Sequence, residues 1–313
     1  MAITGFNSLT QLNLLSACSS FFHVYLDNMK LNTDRLNAFY QVALDKNFCQ
    51  AADNLFITQS ALSQRVLKLE QELGTSLLIR SPEGIGLTEQ GKILFEYVSD
   101  LQAREQDVLN QVTGRSAIAN GIIRVGAFSS VMRSVIMPSL LPLINSPHQL
   151  KVEFFSRELR ELPHLLLSGE VDFIVVDAEF TDPRLQFQLL GHETLVHIRS
   201  KVSEHRLDPP IFLDHDAHDV TTFNFFDSQG MADFEFDRCF YDDVYGLIDG
   251  VRLGFGEAVV SEHIIKDSDD FEIVSHTKTV TSPVILCYVK NRYMSALQKQ
   301  VIGHLQQNAP RYL

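Results

Sequence analysis

The sequence predicts an α/β protein with a helix-rich winged helix-turn-helix domain at its start and a larger domain of strands and helices at its end. Three observations predict this fold. Three short helical patterns precede a hairpin signal within residues 30–88, a helical pattern without proline follows over residues 89–114, and strand and helix patterns alternate over residues 121–313. The 313 residues also exceed the usual size of one compact core.

The first 28 residues have a different composition from the rest. They carry one charged residue, Asp27, and no basic residue ahead of their apolar residues, whereas a signal peptide begins with positive charge. We interpret residues 1–28 as an N-terminal extension, or Met29 as the native start. The alternative is an additional helix of the first domain.

Charge is distributed unevenly. The chain has 26 basic and 39 acidic residues and a net charge of −13, yet residues 30–92 contain seven of each sign. The acidic excess therefore lies in residues 93–313, and we expect contact with nucleic acid only in the N-terminal part. No apolar run approaches the roughly 18 residues of a membrane span. Four scattered cysteines without metal-ligand spacing indicate reduced thiols and a cytoplasmic location.

The N-terminal patterns predict three helices. Asn32–Thr33 caps the first, the small pair Ala51 and Ala52 lets another helix approach the second, and the third covers 59–73 with Gly74 at its left-handed end. Two helices joined by a short turn form a helix-turn-helix, and side chains of the second one enter the DNA major groove. Short three-helix units of other function are the alternative.

The polar face of the third helix carries the predicted DNA contacts. Glutamine pairs with the edge of adenine, serine contacts bases or phosphates, and arginine prefers guanine or phosphate. The predicted DNA-binding residues on or beside this helix are Thr58, Gln59, Ser60, Ser63, Gln64, Arg65 and Lys68. The segments Thr75–Arg80 and Leu87–Thr88, separated by Pro82 and two glycines, predict a hairpin wing, which adds Arg80.

A single helix is predicted from Glu89 to Thr113, ending at Gly114. Its apolar residues recur every three or four positions, which resembles a heptad seam; they are Leu94, Tyr97, Leu101, Val108 and Val112. Such a seam either joins two copies of the chain or packs on the C-terminal domain of the same chain.

Alternating strands and helices after residue 121 predict parallel sheets, which bind ligands at the carboxyl ends of strands. Ser129 and Ser130 follow the first strand, and Asp177 and Glu179 follow the third. We predict that these residues line a ligand site together with Asp214 and Phe255; capping of the next helix is the alternative role of the serines. The predicted elements are strands 122–128, 151–155, 172–176, 194–198, 257–260 and 284–289, and helices 131–144, 158–167, 243–253 and 294–305.

Nine acidic residues and one basic residue, Arg238, lie between Asp214 and Asp243. This segment suits a pocket for a cationic metabolite, a metal held by His215 and His218, or a solvated acidic loop. Ligand spacing without cysteine is a weak metal signal, so no metal site and no cofactor are predicted.

Several motifs carry a resemblance to a known family. The run from Phe48 to Glu70 (FCQAADNLFITQSALSQRVLKLE), with LTEQG from Leu87, resembles the DNA-binding domain of LysR-type transcriptional regulators. The segments LLSGEVDFIV from Leu166 and GVRLGFG from Gly250 resemble motifs of the same family. Two departures from its pattern are Gln64 ahead of Arg65 on the contact face and Glu83 in place of a basic wing tip.

The resemblance implies a periplasmic-binding-protein-like effector domain of two subdomains, joined by crossover strands near 190–200 and 272–284. It also implies a homodimer formed through the long helix, a tetramer, and promoter DNA and RNA polymerase as partners. An enzyme built on the α/β portion is a further alternative, but no Ser/His/Asp order, glycine-rich phosphate loop or metal motif supports it, so no enzymatic activity is predicted. Phe212–His215 and Gln59–Arg65 resemble the lysine- and arginine-responsive branch, which implies a basic amino acid as effector. The alternative function is a ligand-binding module with degraded DNA recognition, indicated by the neutral N-terminal domain and Glu83.

Overall fold

The structure is a computed structural model that describes residues 31–81, 84–114, 122–145, 150–178, 181–202, 208–290 and 292–313. The predicted extension over residues 1–28, Glu83 and Glu179 lie outside the described residues. The chain forms two compact units that divide between Ser99 and Asp100.

The first unit contains the predicted three helices. They are α1 (Thr33–Asp45), α2 (Phe48–Asn54) and α3 (Gln59–Leu73). Side-chain oxygens of Asn32, Asn47 and Thr58 accept hydrogen bonds from the first turns of these helices, because each helix start leaves backbone N–H groups without partners. Their shared core includes Ala38, Val42, Ala51, Leu62 and Val66. The small alanine at 51 allows the close helix approach that the sequence predicts.

The wing consists of β1 (Leu78–Ser81) and β2 (Gly84–Leu87), paired antiparallel. The first strand was predicted to begin at Thr75, which is wrong. The Glu70 carboxylate accepts hydrogen bonds from the backbone N–H groups of Leu77 and Leu78 at 2.7 and 3.3 Å, so α3 holds the chain before the strand begins.

The long helix α4 (Glu89–Thr113) has the predicted bounds. Gly91 is required in its first turn because a Cβ there would lie 2.1 Å from the Leu77 carbonyl oxygen. Of the predicted apolar seam, Leu94 is buried within the chain together with Phe95 and Val98.

The second unit is built on a seven-stranded sheet. Its first subdomain contains β3 (Ile122–Ala127), β4 (Lys151–Ser156) and β5 (Phe173–Val176), which run parallel. Its second subdomain contains β7 (Ile211–Asp214), β8 (Asp237–Phe240), β9 (Ala258–Ser261) and β10 (Phe271–Val274). The long antiparallel strands β6 (Leu185–Ser200) and β11 (Val280–Val289) pair with each other and with strands of both subdomains. They correspond to the two expected crossovers.

Helices cover this sheet. Between β3 and β4, a short helix (Ser129–Val131) continues through a π-helix (Met132–Ile136) into α5 (Met137–Ile144). The others are α6 (Leu162–Leu167), α7 (Thr221–Ser228), α8 (Val244–Arg252) and α9 (Ala296–Asn308). The helix predicted over residues 158–167 begins later, at Leu162, so its predicted start is wrong. Pro163 has no backbone N–H and is accommodated only in the first turn of a helix. No helix in the described ranges is long and apolar enough to cross a membrane.

Candidate nucleic-acid interface and ligand cavity

The N-terminal half of α3 presents polar side chains to solvent. Gln59, Ser60 and Gln64 are exposed there, Ser63 is half-buried, and Lys68 extends the same surface. The buried side of the helix is occupied by Leu62, Val66 and Leu69, which fixes the orientation of the polar face. The spacing seen in the sequence therefore produces a polar helix face of the kind that contacts base edges.

Two of the predicted DNA-binding residues also have structural roles. The Thr58 hydroxyl caps α3 by accepting a hydrogen bond from the Ala61 N–H at 3.2 Å. The Arg80 guanidinium lies over the Phe48 ring, 4.7 Å from its centroid, while the side chain stays exposed. Arg65 lines a groove between α3 and the start of α1, which Arg35, Gln64 and Lys68 also line. The groove also contains Asp34, and Arg35 is paired with Glu72, so Arg65 and Lys68 are its cations without a described ion pair.

A cavity of about 480 Å³ lies between the two subdomains of the second unit. Of the predicted ligand-site residues, Ser130 and Asp177 line it, whereas Ser129, Asp214 and Phe255 are not among its lining residues. Much of the wall is apolar, and it includes Val131, Val175, Val176, Leu195, Val244, Leu247, Val259, Val260, Ile264 and Val284.

Ser130 is a polar group in this wall without an internal partner. Its side chain is only 5% exposed, and its hydroxyl makes no hydrogen bond to the residues that the structure describes. The helix start is flanked by Phe128 and lacks a side-chain cap, so the alternative capping role is not observed. The Ser130 hydroxyl is therefore available to a ligand.

Asp214 does not face the cavity. It is 2% exposed, it forms an ion pair with Arg238, and it accepts a hydrogen bond from the Thr222 hydroxyl at 2.6 Å. Burial raises the pKa of its carboxyl, and the bonds from Thr222 and Arg238 oppose that rise. The Asp214 carboxylate oxygens are already paired within β7, β8 and α7, so the structure does not bring this predicted ligand-site residue to the cavity.

Phe255 also lies apart from the cavity. Its side chain is 58% exposed outside the cavity wall. It follows α8 after the left-handed Gly254, whose φ of 83° turns the chain away at this point.

Glu193 is a cavity residue that the sequence did not reveal. It lies on β6, is 9% exposed, and accepts hydrogen bonds from the Ser261 hydroxyl at 2.7 Å and from His263 Nε2 at 2.8 Å. Its only sequence signal was a single acidic residue inside a crossover strand.

The mouth of the cavity contains a contact between the subdomains. His215 Nε2 lies 3.1 Å from Glu158 Oε2, and the imidazole packs edge-on against Phe128. His215 Nδ1 is buried and has no hydrogen-bond partner among the described residues. His218 also lines the cavity. In the described part of the chain, no three metal-binding side chains lie together, so His215 and His218 are not joined by further ligands into a metal centre.

Carboxylates dominate the charged residues of the described cavity wall. The acidic members are Glu158, Asp177, Glu193, Asp216 and Asp219, against the single guanidinium of Arg160. This arrangement favours a ligand that carries positive charge and an apolar portion.

Comparison with protein-family models gives two matches. Residues 33–92 match the model described as bacterial regulatory helix-turn-helix protein, lysR family, and residues 117–310 match the LysR substrate binding domain. The two matches cover the helix-turn-helix with its wing and nearly all of the second unit.

Curated relatives of the chain include HTH-type transcriptional regulators. The chain is 30% identical over 173 residues to YcgK of Bacillus subtilis, an uncharacterized HTH-type transcriptional regulator, covering 55% of this chain and 53% of that protein. It is 28% identical over 162 residues to the HTH-type transcriptional regulator BenM of Acinetobacter baylyi, covering 51% and 53%. The chain thus spans about half the length of the curated relatives it matches.

Solved structures share the fold over most of the chain. ArgP from Mycobacterium tuberculosis superposes with a TM-score of 0.70 at 17% identity, covering 90% of this chain and 98% of that one. Full-length LysG from Corynebacterium glutamicum with bound arginine gives 0.64 at 16% identity, covering 90% and 99%. At these identities the likeness extends to the fold alone.

Proposed function

Because the chain belongs to the LysR family of bacterial regulators, we propose that it binds promoter DNA through α3 and is controlled by a small molecule in the cavity. The observation that carries this proposal is the exposed polar face of α3, which presents Gln59, Ser60 and Gln64 on an N-capped helix of 15 residues. Ligand binding between two subdomains changes their separation, and in a dimer such a change alters the spacing of two recognition helices.

A mobility-shift assay tests the DNA-binding part. The full chain is incubated with DNA from the region upstream of its own gene, with random competitor at moderate salt. Gln59→Ala and Ser63→Ala each weaken the specific shift by about 5- to 150-fold, the effect of losing a base contact of roughly 1–3 kcal/mol. The matched control is Gln71→Ala, on the exposed last turn of the same helix. Unchanged shifts for both variants contradict the assignment of the recognition face.

The same assay distinguishes this proposal from the second candidate function, which is a ligand-binding module with degraded DNA recognition. The neutral charge of residues 30–92 is the observation that favours it. A wild-type chain that prefers no upstream fragment over random competitor supports this candidate. The curated relatives named above are transcriptional regulators, so we rank it second.

The effector that we propose is a basic amino acid. The acidic cavity wall supports this choice, and its valine and leucine side chains suit an aliphatic chain between charged ends. The arginine in the LysG structure is a ligand of LysG. Because LysG is 16% identical to this chain, the comparison supports a shared fold and does not support the choice of effector. Thermal stabilisation of the full chain by millimolar lysine or arginine is expected, and no stabilisation by either contradicts the proposal.

The proposal includes self-association. Apolar side chains of Tyr97, Val108 and Val112 are exposed along α4, which suits a homodimer formed through this helix. Pairing of dimers into a tetramer, contact with RNA polymerase and a cytoplasmic location are further parts of the proposal, taken from the family.

A further inference from the structure

One carboxylate oxygen of Glu193 accepts hydrogen bonds from the protein, and the other accepts none from the described residues. Both hydrogen bonds, from Ser261 and His263, go to Oε2. No donor among the described residues contacts Oε1. Glu193 lines the cavity and is about nine-tenths buried. Among the described residues, the one fully enclosed side-chain atom without a partner is His215 Nδ1, so Oε1 of Glu193 is accessible from the cavity. It can therefore accept a hydrogen bond from a group supplied from outside.

Asp177 is a second acidic group near Glu193. The two residues lie on opposite sides of β11, since β6 and β5 both pair with that strand. Partial desolvation raises the pKa of the Asp177 carboxyl, and the negative charge of Glu193 raises it further. Neither carboxylate forms an ion pair with a lysine or arginine of the described residues, and the basic side chain that Glu193 contacts is His263. Like charges in a shared wall are stabilised when a cation lies between them.

We propose that Asp177 and Glu193, the carboxylate pair, hold the ammonium or guanidinium group of the effector, and that Glu193 communicates its binding to the first subdomain through His263 and Ser134. This inference deepens the proposed function and rests on it. It assigns the cationic end of the ligand to named residues. The Ser130 hydroxyl, also open to the cavity, is available to the other polar end of the same molecule.

The hydrogen bonds that support communication cross between subdomains. His263 Nε2 contacts Glu193, and His263 Nδ1 lies 2.7 Å from Ser134 Oγ on the π-helix. Ser134 Oγ also donates to the Ser130 carbonyl oxygen at 2.6 Å. The Ser134 hydroxyl therefore contacts both His263 in the second subdomain and the Ser130 carbonyl oxygen in the first.

The chain of hydrogen bonds therefore begins and ends at the cavity, passing from Glu193 through His263 and Ser134 to Ser130. It includes the π-helix Met132–Ile136, a type of segment that is frequent at functional sites. A cation on Oε1 withdraws electron density from Oε2 and weakens its bond to His263. That change is passed to the helix that carries Ser130.

Calorimetry on the full chain tests the carboxylate pair. The probes are L-lysine and L-arginine, with the neutral isosteres L-2-aminoheptanoic acid and L-citrulline as matched ligands. We expect the isosteres to bind at least about tenfold more weakly, and Glu193→Gln and Asp177→Asn each to weaken arginine or lysine by a similar factor. Glu262→Gln is the control, because Glu262 is exposed beside His263 and does not line the cavity.

Three results contradict the proposal that the carboxylate pair binds the cationic group. These are equal binding of a cationic probe and its isostere, unchanged affinity in both pair variants, and no binding of either amino acid to a chain that shifts DNA specifically. Asp177→Asn removes no hydrogen bond to a described side chain, so it remains informative if Glu193→Gln fails to fold. The chain could also bind the ligand through Glu193 and yet give no specific DNA shift. That result contradicts the proposed function but still supports the carboxylate pair.

Ser134→Ala tests the communication. This residue lies outside the cavity wall, so the variant is expected to bind arginine but to lose at least half of the change in DNA affinity that arginine causes. Ser139→Ala is the control, since the Ser139 hydroxyl makes the same type of bond, to the Val135 carbonyl at 2.6 Å, without a histidine. A full response in Ser134→Ala, or an equal loss in Ser139→Ala, contradicts the role of this path.

Discussion

Asp214 and Arg238 show how a single buried ion pair organises the second subdomain. The Arg238 guanidinium contacts the Asp214 carboxylate and donates to the Asp219 carbonyl oxygen at 2.5 Å. It also lies 4.9 Å from the ring centroids of both Phe223 and Phe240. One cation thereby joins the end of β7 to the segment that leads into α7.

Arg238→Met is expected to lower the free energy of unfolding by about 3–5 kcal/mol, because it leaves the buried Asp214 charge without its partner. The double variant Asp214→Asn with Arg238→Met recovers a large part of that loss, since no charge then remains buried. Urea denaturation measures both. Arg184→Met, which removes an exposed ion pair with Asp182, is the control and costs less than about 1 kcal/mol. Equal losses at the two sites contradict the argument.

Asp177→Asn is expected to change how the stability of the folded chain depends on pH. The folded chain raises the pKa of this carboxyl above its ordinary value of about 3.9, so the native state holds the proton more tightly than the unfolded chain does. Stability is therefore lost as pH rises from the unfolded to the folded pKa. The variant should melt above wild type at neutral pH and together with it at pH ~3.

Asp182→Asn supplies a contrast of opposite sign. Hydrogen bonds from Arg184 lower the pKa of Asp182, so its contribution is present at neutral pH and lost as pH falls. This variant should melt below wild type at neutral pH. If both variants shift the melting temperature in the same direction, the assigned causes are wrong.

At the scale of the element, α4 separates two kinds of surface. The Asp107 carboxylate accepts hydrogen bonds from the Tyr293 hydroxyl at 2.8 Å and from the Ala296 N–H at 3.0 Å. Arg104 lies over the Tyr293 ring, 4.3 Å from its centroid. The polar side of this part of the helix is thus fixed to the start of α9.

Asp107→Ala is expected to lower the free energy of unfolding by about 2–3 kcal/mol, because it leaves two donors near the buried Asp107 without an acceptor. Hydrogen-exchange mass spectrometry should show faster exchange in residues 100–113 and 292–298. Glu105→Ala, on the exposed side of α4, serves as the control and should leave exchange unchanged. Protection that survives in Asp107→Ala contradicts the role of this contact.

Local signals account for the elements that were predicted. Asn32, Thr58 and Gly74 mark helix ends through bonds to their neighbours in sequence, so the bounds of α1 and α3 follow from nearby residues. The strand β7 was missed because Phe212 and Leu213 are followed by a run of acidic residues and histidines that is typical of a loop. Glu193 is held in the cavity wall by Ser261 and His263, which lie about 70 positions away in the sequence. No local pattern in the sequence can show such a contact.

At the scale of the whole molecule, charge and apolar surface have separate places. The net charge of −13 arises entirely outside residues 30–92, so electrostatic attraction to DNA must come from a few cations near α3. A single module with few phosphate contacts binds weakly at physiological salt. Two such modules held at a fixed separation bind far more tightly, because the second contact becomes intramolecular.

Val108→Glu tests whether α4 supplies that connection. Val108 is exposed, and the neighbouring Val112 is 79% exposed, so a charge there disrupts an interface between copies without disturbing the core of one chain. Light scattering after gel filtration should show the mass falling to that of one 35.4 kDa chain, with at least tenfold weaker binding to promoter DNA. Leu253→Glu, at an exposed apolar residue of the second subdomain, is the control and should keep both properties. An unchanged mass for Val108→Glu would show that the apolar side of α4 does not hold two copies together.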